Sequence, residues 1–179
     1  MVLSPSQEVL TPMHDEEKQK NYELAERLIS EQNFAAAAIA GAIATLLSAV
    51  AYGIVVEKWP VTYGFAAAGV GTVIGFFMGF LGRGISTKYS VVAAVYTIAG
   101  CILGNLFVKI WNQAQGPTSS LTDVLQNNSL SVLARWSVAG LSLIHLVFWF
   151  VAVVAAVFLA KRSLSRSERL ALGLFEARV

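Results

Sequence analysis

The sequence predicts an all-α protein, an integral membrane four-helix bundle with amphipathic helices at its N- and C-terminal ends. Hydrophobic residues make up 56% of the chain and charged residues 13%, and the mean hydropathy is +0.63. These values lie outside the range of soluble globular proteins. The apolar residues are concentrated in four long runs without a charged residue, and the basic residues are distributed unequally between the segments that flank these runs.

The four runs are each 20 to 24 residues long and cover residues 34–56, 61–82, 89–108 and 137–160. A membrane-spanning helix needs about 20 apolar residues at 1.5 Å per residue to cross a hydrocarbon core of about 30 Å. Isolated strands are not an alternative, because unpaired strand backbone is not tolerated in lipid. We therefore expect four spanning helices in one domain over residues 34–160, with a longer outer loop over residues 112–136 that contains a short helix.

The basic residues predict the orientation of these spans. An even number of spans places both termini on one side, together with ten of the thirteen lysines and arginines. Arg83 and Lys88, in the turn between the second and third spans, belong to this group. Only Lys58, Lys109 and Arg135 lie on the other side. Because basic residues favour the cytoplasmic side, we expect both termini in the cytoplasm.

Three tryptophans support this orientation. Trp59, Trp111 and Trp136 all lie at span ends on the outer side. An indole is favoured at the membrane interface because its ring is apolar and its N–H is polar. The short connections between the first three spans predict antiparallel neighbours.

The N-terminal segment, residues 1–33, is predicted to form a polar, amphipathic cytoplasmic helix that leads into the first span. Leu24, Leu28 and Ile29 fall on one helical face, and charged residues fall elsewhere. Such a helix could lie on the membrane, dock a partner, or be a solvated lead-in helix.

The C-terminal segment, residues 161–179, is predicted to be a basic amphipathic cytoplasmic tail. Ser165 and Glu168 have the spacing of a capping box, and Leu170 and Leu174 fall on one face of the helix that would follow. Its basic residues suit the anionic headgroups of the inner leaflet.

Glycines and other small residues recur on the spans at helical spacing. The predicted packing glycines are Gly71, Gly75 and Gly79, extended by Gly64, with Gly100 and Gly104 on the third span and Gly41 on the first. In lipid, helices associate through close contact of their backbones, which small residues allow. We expect the first three spans to pack as a close trio. The alternative is packing between chains, as a homo-oligomer around a pore.

His145 is the ionisable residue inside a predicted span, eight residues after Ser137 and roughly 12 Å along the helix from its outer end. Such a residue is a functional candidate by default. Trp149 follows one turn later, and this face could receive a porphyrin, a chlorin or a quinone. A tetrapyrrole site would normally show paired histidines, so a hydrogen bond to a neighbouring helix or subunit is the favoured interpretation.

No combination of residues in the sequence predicts catalysis or metal binding. Apart from His145 the spans contain no ionisable carboxylate or base, and no phosphate-binding loop, metal-ligand spacing or nucleophile triad is present. The single Cys101 lies in the third apolar run, where it is expected to pack as a small hydrophobic residue. We therefore expect no enzymatic activity, no evident cofactor and no nucleic-acid partner.

Residues 24 to 107 resemble a family of uncharacterised four-span bacterial membrane proteins. The resemblance rests on a leading helix that ends in Glu31-Gln32, a glycine-rich second span that ends in Gly82-Arg83-Gly84, and the segment Gly100-Cys101-Ile102-Leu103-Gly104-Asn105. Some members of that family carry an N-terminal zinc ribbon, which this sequence lacks, so no metal role is implied. The resemblance implies a bacterial inner-membrane location and no particular activity.

These observations favour a non-enzymatic membrane subunit that assembles or stabilises a larger membrane protein complex. Its expected partners are the lipid bilayer and other membrane protein subunits. A homo-oligomeric channel or transport-related protein built on the glycine stripe is the first alternative. A pigment- or haem-binding subunit using His145 is the second.

Overall fold

The computed structural model describes residues 5–59, 63–115 and 121–176, and the regular structure within these residues is entirely helical. The helices are α1 (Pro5–Ser30), α2 (Phe34–Lys58), α3 (Tyr63–Gly82), α4 (Thr87–Ala114), α5 (Leu121–Asn127), α6 (Leu130–Val138), α7 (Leu143–Leu159) and α8 (Arg166–Glu176).

Three of these helices, α2, α3 and α4, are each long and apolar enough to cross a membrane. The pair α6 and α7 has the same property when taken together, but its two helices are bent by 90° at the break between them. The described residues thus provide three candidate spans, or four if the bent pair counts as one. The prediction of an all-helical fold, with helices long and apolar enough to cross a membrane, is thereby confirmed.

The last expected span differs in detail from the structure. A single helix was predicted over residues 137–160, whereas α6 ends at Val138 and α7 begins only at Leu143. Gly140 between them has a φ of +80°, a left-handed conformation that side-chain-bearing residues rarely adopt. Ser142 then caps α7. Because these features carry no charge, the break is invisible in the hydropathy of the run.

The region predicted as outer loop, residues 112–136, is largely helical where it is described. Helix α4 continues to Ala114, beyond the predicted end of the third span at residue 108. Helix α5 is the short helix expected in this loop, and α6 begins before the loop was expected to end. Residues 116–120 lie outside the described part of the chain.

The described residues between 33 and 162 form one compact unit, which contains α2 to α7. In it, α3 and α4 lie at the centre and each contacts both α2 and α7. Helices α2 and α4 run parallel to each other and antiparallel to α3 and α7, as the order of the facing residues shows. We name the two ends of this unit after the residues that cap α2. The Asn33 end holds the N-terminus of α2, and the Trp59 end holds its C-terminus.

The turn after α3 joins three helices at the Asn33 end. The carbonyl of Gly82 accepts a hydrogen bond from the backbone N–H of Asn33, at 3.0 Å, and the carbonyl of Gly84 accepts one from Arg162, at 2.9 Å. Between the two glycines, Arg83 has a φ of 46°, a strained conformation for a side-chain-bearing residue. The turn thereby connects the end of α3 to the start of α2 and to the end of α7.

The terminal helices form a second compact unit, whose described residues are 5–32 and 163–176. Within it α1 packs against α8, and the buried side chains are Ala25, Leu28 and Ala171. The predicted capping box of α8 is present: Glu168 Oε2 accepts from the Ser165 N–H at 2.7 Å, and Ser165 Oγ accepts from the Glu168 N–H at 3.3 Å.

The buried faces of α1 and α8 differ in part from the predicted ones. Ile29 and Leu170 are exposed although both were expected on apolar faces. Leu28 is buried as predicted, and the small residues Ala25 and Ala171 are buried as well. The side chain of Leu174 lies outside the described part of the chain.

Candidate functional site

The glycine stripe of α3 faces the backbone of α7. A Cβ at Gly71 would overlap the carbonyl of Ala152, and one at Gly79 would overlap the carbonyl of Leu159. A Cβ at Gly75 would lie 2.7 Å from the carbonyl oxygen of Ala156. Contacts this short with backbone leave no room for any side chain, so α3 and α7 can touch only because these positions are glycine.

This partner differs from the expected one. The first three spans do pack together, but α3 turns a different face toward α2 and α4, formed by Val70, Ile74 and Met78. These side chains approach glycines on the neighbouring helices: Met78 Sδ lies 2.8 Å from a Cβ built at Gly41, and Val70 Cγ1 lies 3.0 Å from one at Gly100. The stripe itself is therefore covered within the chain.

Other glycines accommodate aromatic rings. A Cβ at Gly64 would overlap the ring of Phe148, and one at Gly104 would lie 2.5 Å from the ring of Tyr52. Gly53, which was not predicted as a packing residue, holds the ring of Phe107 in the same way. Each of these glycines forms a hollow for a large side chain of a neighbouring helix.

A polar cluster lies inside the bundle toward the Trp59 end. Asn105 of α4 is its centre and is 2% exposed. Its Oδ1 accepts a hydrogen bond from the Tyr63 hydroxyl at 2.7 Å, and its Nδ2 donates to the Ser137 carbonyl at 2.6 Å. One carboxamide thus connects α3, α4 and the C-terminal part of α6, and it satisfies a backbone carbonyl close to the 139–142 break.

Two further aromatic residues extend this cluster. The ring of Tyr52 packs edge-on against that of Tyr63, with 5.5 Å between centroids. The Tyr52 hydroxyl and the Trp149 Nε1 are both buried without a hydrogen-bond partner of good geometry, and they lie next to each other. Trp149 packs against the core of the bundle, so its indole is not a free face for a planar cofactor.

His145 lies in the first turn of α7, not 12 Å inside a span as was predicted. The reason is the break at residues 139–142, which makes His145 the third residue of a new helix. Its Nδ1 accepts a hydrogen bond from the Ser142 N–H at 3.0 Å, and its ring packs edge-on against Tyr63 at 4.5 Å between centroids. Because a backbone N–H only donates, Nδ1 is the unprotonated ring nitrogen.

The predicted interfacial residues occupy varied environments. Trp59 is 60% exposed, at the C-cap of α2, whereas Trp111 is half-buried and stacks on Phe107 at 5.9 Å. Trp136 is half-buried on α6, where it lines a cavity with residues of α4.

The two basic residues of the turn at the Asn33 end are both exposed. Arg83 occupies the left-handed position between Gly82 and Gly84. Lys88 places its Nζ 5.3 Å from the centroid of the Phe34 ring and 5.7 Å from that of Tyr89, within the range of cation–π contacts.

Tyr52, Tyr63 and Asn105 were not predicted as site residues. A carboxamide at position 105, inside an apolar run, was an available signal, since a polar side chain in a span normally has a partner. The two tyrosines carried no such signal, because tyrosine is also common at the membrane interface.

Among the described residues, no group of three or more His, Cys, Asp or Glu side chains comes together. Cys101 is buried, as expected for a small hydrophobic residue. Comparisons with protein-family models, with curated proteins and with solved structures found no match for this chain.

Proposed function

We propose that this protein is a non-enzymatic integral membrane subunit that helps to assemble or stabilise a larger membrane protein complex. The observation that carries this proposal is the compact unit formed by α1 and α8, which is separate from the bundle in its packing. Its described surface is rich in charge, with Glu16, Lys20, Glu26 and Arg166 all exposed. Exposed charges can steer and orient a partner of complementary charge, so a unit of this kind is suited to contact another protein.

The close contact of α3 with α7 supports a scaffolding role. Backbone packing along Gly71, Gly75 and Gly79 makes these two helices a single block, as suits a protein that holds other subunits in place in the membrane. The same contact weakens the pore alternative, because the stripe on which an oligomer would be built is already covered by α7.

The pigment or haem alternative also loses support. His145 takes part in the cap of α7, and Trp149 packs into the bundle core. The two side chains therefore do not present the open face that a tetrapyrrole or quinone site at these residues requires.

A bacterial inner-membrane location with both termini in the cytoplasm is part of the proposal. The excess of basic residues on the side of the termini and the family resemblance of residues 24 to 107 support it. The packing of α1 against α8 is compatible with an even number of crossings, since both ends of the chain then lie on one side.

The test is native purification of the full chain from its own membrane in a mild detergent, after brief cross-linking. We expect a membrane protein to co-purify in a fixed ratio. The double variant Lys20→Glu and Arg166→Glu reverses exposed charges on both terminal helices, so it should reduce this ratio severalfold.

Lys58→Glu is the matched control, because Lys58 is an exposed cation at the Trp59 end of the bundle. Its partner ratio should equal that of the wild type. Purification as a monomer without a partner in fixed ratio would contradict the proposal, and so would equal losses in the double variant and the control. A complex that contains only copies of this chain would favour the homo-oligomer instead.

A further inference from the structure

A cavity of about 390 Å³ lies between α4 and α6 at the Trp59 end of the bundle. Lys109, Asn112, Gln113 and Trp136 line it among the described residues. Its volume falls within the range of pockets that hold small molecules or their head groups. Among the residues that the structure describes, the lining combines one ammonium group, two carboxamides and an indole, and it includes no carboxylate.

The ammonium group of Lys109 has no ion-pair partner in the part of the chain that the structure describes. The two carboxylates nearest to Lys109 in the sequence, Glu57 and Asp123, do not line the cavity. Glu57 accepts a hydrogen bond from the Gln115 amide, and Asp123 is on α5. Lys109 is itself half-buried, so its charge is partly removed from water. A charge in that position favours a bound anion.

The break before α7 passes close to this charge. A Cβ built on Gly140 would have the Lys109 Nζ as its neighbour, at 3.6 Å. Because Gly140 has a φ of +80°, the chain can pass close to the ammonium group only in a conformation that suits glycine. The cavity is thus lined by the end of α4 and by α6, and the break that follows α6 lies beside its ammonium group.

The position of the cavity matches the depth of lipid head groups. Lys109 follows the apolar run 89–108 directly, which places it where the hydrocarbon core would end. Helix α6 is bent by 90° from α7, and it carries two exposed apolar side chains, Leu130 (85%) and Val138 (54%). If α7 crosses the bilayer, α6 lies along its surface, as interfacial helices do.

We infer that this cavity binds the phosphate group of an anionic phospholipid. The Lys109 ammonium would pair with the phosphate, and the Asn112 carboxamide would donate to a phosphate or glycerol oxygen. The Trp136 indole would pack against the glycerol and the upper acyl chain, as interfacial tryptophans do. A phosphatidylcholine has the same phosphate but a choline cation beside it, so it would bind more weakly.

The test compares two lipids with identical acyl chains, phosphatidylglycerol and phosphatidylcholine, added to the purified full chain in a non-ionic detergent. Native mass spectrometry measures how much of each lipid is retained. In the wild type we expect phosphatidylglycerol to be retained about tenfold better, because no choline cation offsets the attraction between its phosphate and the Lys109 ammonium. Lys109→Gln should abolish this preference, and Lys109→Arg should keep most of it.

Lys58→Gln is the control for non-specific attraction, since Lys58 is an exposed cation at the same end of the bundle but outside the cavity. Equal losses in Lys58→Gln and Lys109→Gln would overturn the inference, and so would equal retention of the two lipids by the wild type. If Lys109→Gln does not fold, Asn112→Ala decides the question: it should lower the retention of phosphatidylglycerol severalfold, and unchanged retention would overturn the inference. Inorganic phosphate at millimolar concentration should not displace the lipid; full displacement would overturn the lipid assignment in favour of a soluble phosphate.

Discussion

At the scale of single residues, Gly71 and Gly69 are a matched pair that tests the contact of α3 with α7. Gly71→Ala places a Cβ against the Ala152 carbonyl, and this backbone atom cannot move aside as a side chain can. We expect the free energy of unfolding to fall by about 1–3 kcal/mol, the range for overpacked cores. Titration with a denaturing detergent, followed by tryptophan fluorescence, measures it.

Gly69→Ala should leave that free energy unchanged or raise it slightly. No heavy atom lies within 4 Å of a Cβ at this position, and alanine is the better helix former. Similar losses in both variants would contradict the special fit of α3 against α7 at Gly71.

The hydrogen bond between Tyr63 and Asn105 permits a second prediction at this scale. Tyr63→Phe removes a donor and leaves the Asn105 Oδ1 unpaired, whereas Asn105→Leu leaves the Ser137 carbonyl and the Tyr63 hydroxyl unpaired. The double variant should lose less than the sum of the single variants, with a coupling of about 0.6–1.7 kcal/mol, as for other interhelical hydrogen bonds in membranes. A coupling of zero would mean that the bond does not form in solution.

At the scale of elements, the start of α7 depends on the reciprocal cap between Ser142 and His145. Ser142→Ala removes the side-chain acceptor and should lower the free energy of unfolding by about 1 kcal/mol. Ser142→Thr keeps a hydroxyl, which can still lie beside His145 Nδ1 and accept from the first turn of α7, so most of the stability should remain. The same detergent titration compares the three proteins. Equal losses in both variants would contradict the role of the cap.

The elements also show which parts of the fold were predictable from the sequence. Helices α2, α3 and α4 were predictable, because a membrane imposes a minimum length on apolar runs and charges mark their ends. The break at residues 139–142 was not, because it depends on a glycine conformation and a serine cap that leave hydropathy unchanged. The break changes the position of His145 most, because the depth predicted for this side chain assumed one continuous helix.

At the scale of the whole molecule, the sequence predicted that glycines pack helices together but not which helices they join. A stripe of small residues identifies a face for close contact, whereas the partner depends on how all helices rotate to bury their other faces. Here the larger ridge of Val70, Ile74 and Met78 occupies the side toward α2 and α4, which leaves the stripe to α7. The polar cluster around Asn105 arises from the same rotation, since it requires α3, α4 and α6 to meet.

The crossing of the membrane by α7 leads to the last prediction, which concerns topology. Helix α7 has 17 residues, or about 26 Å of helix, which is shorter than a hydrocarbon core of about 30 Å. If α7 crosses the membrane, residues 139–142 must span the remaining thickness of the hydrocarbon core, or the bilayer must thin locally. If the bent pair is one span, the exposed residues Lys20 and Arg166 lie on one side of the membrane, and the exposed residues Lys58 and Arg135 lie on the other.

Single-cysteine variants at these four positions, in a Cys101→Ser background, measure this arrangement with a membrane-impermeant thiol reagent. In intact cells with an accessible outer face, we expect labelling at positions 58 and 135, and at 20 and 166 only after permeabilisation. Labelling of 20 and 166 from opposite sides would mean that the chain crosses an odd number of times, so that α7 does not span. Labelling of 20 and 166 alone would reverse the orientation, because the basic residues would then face outward against the usual charge rule.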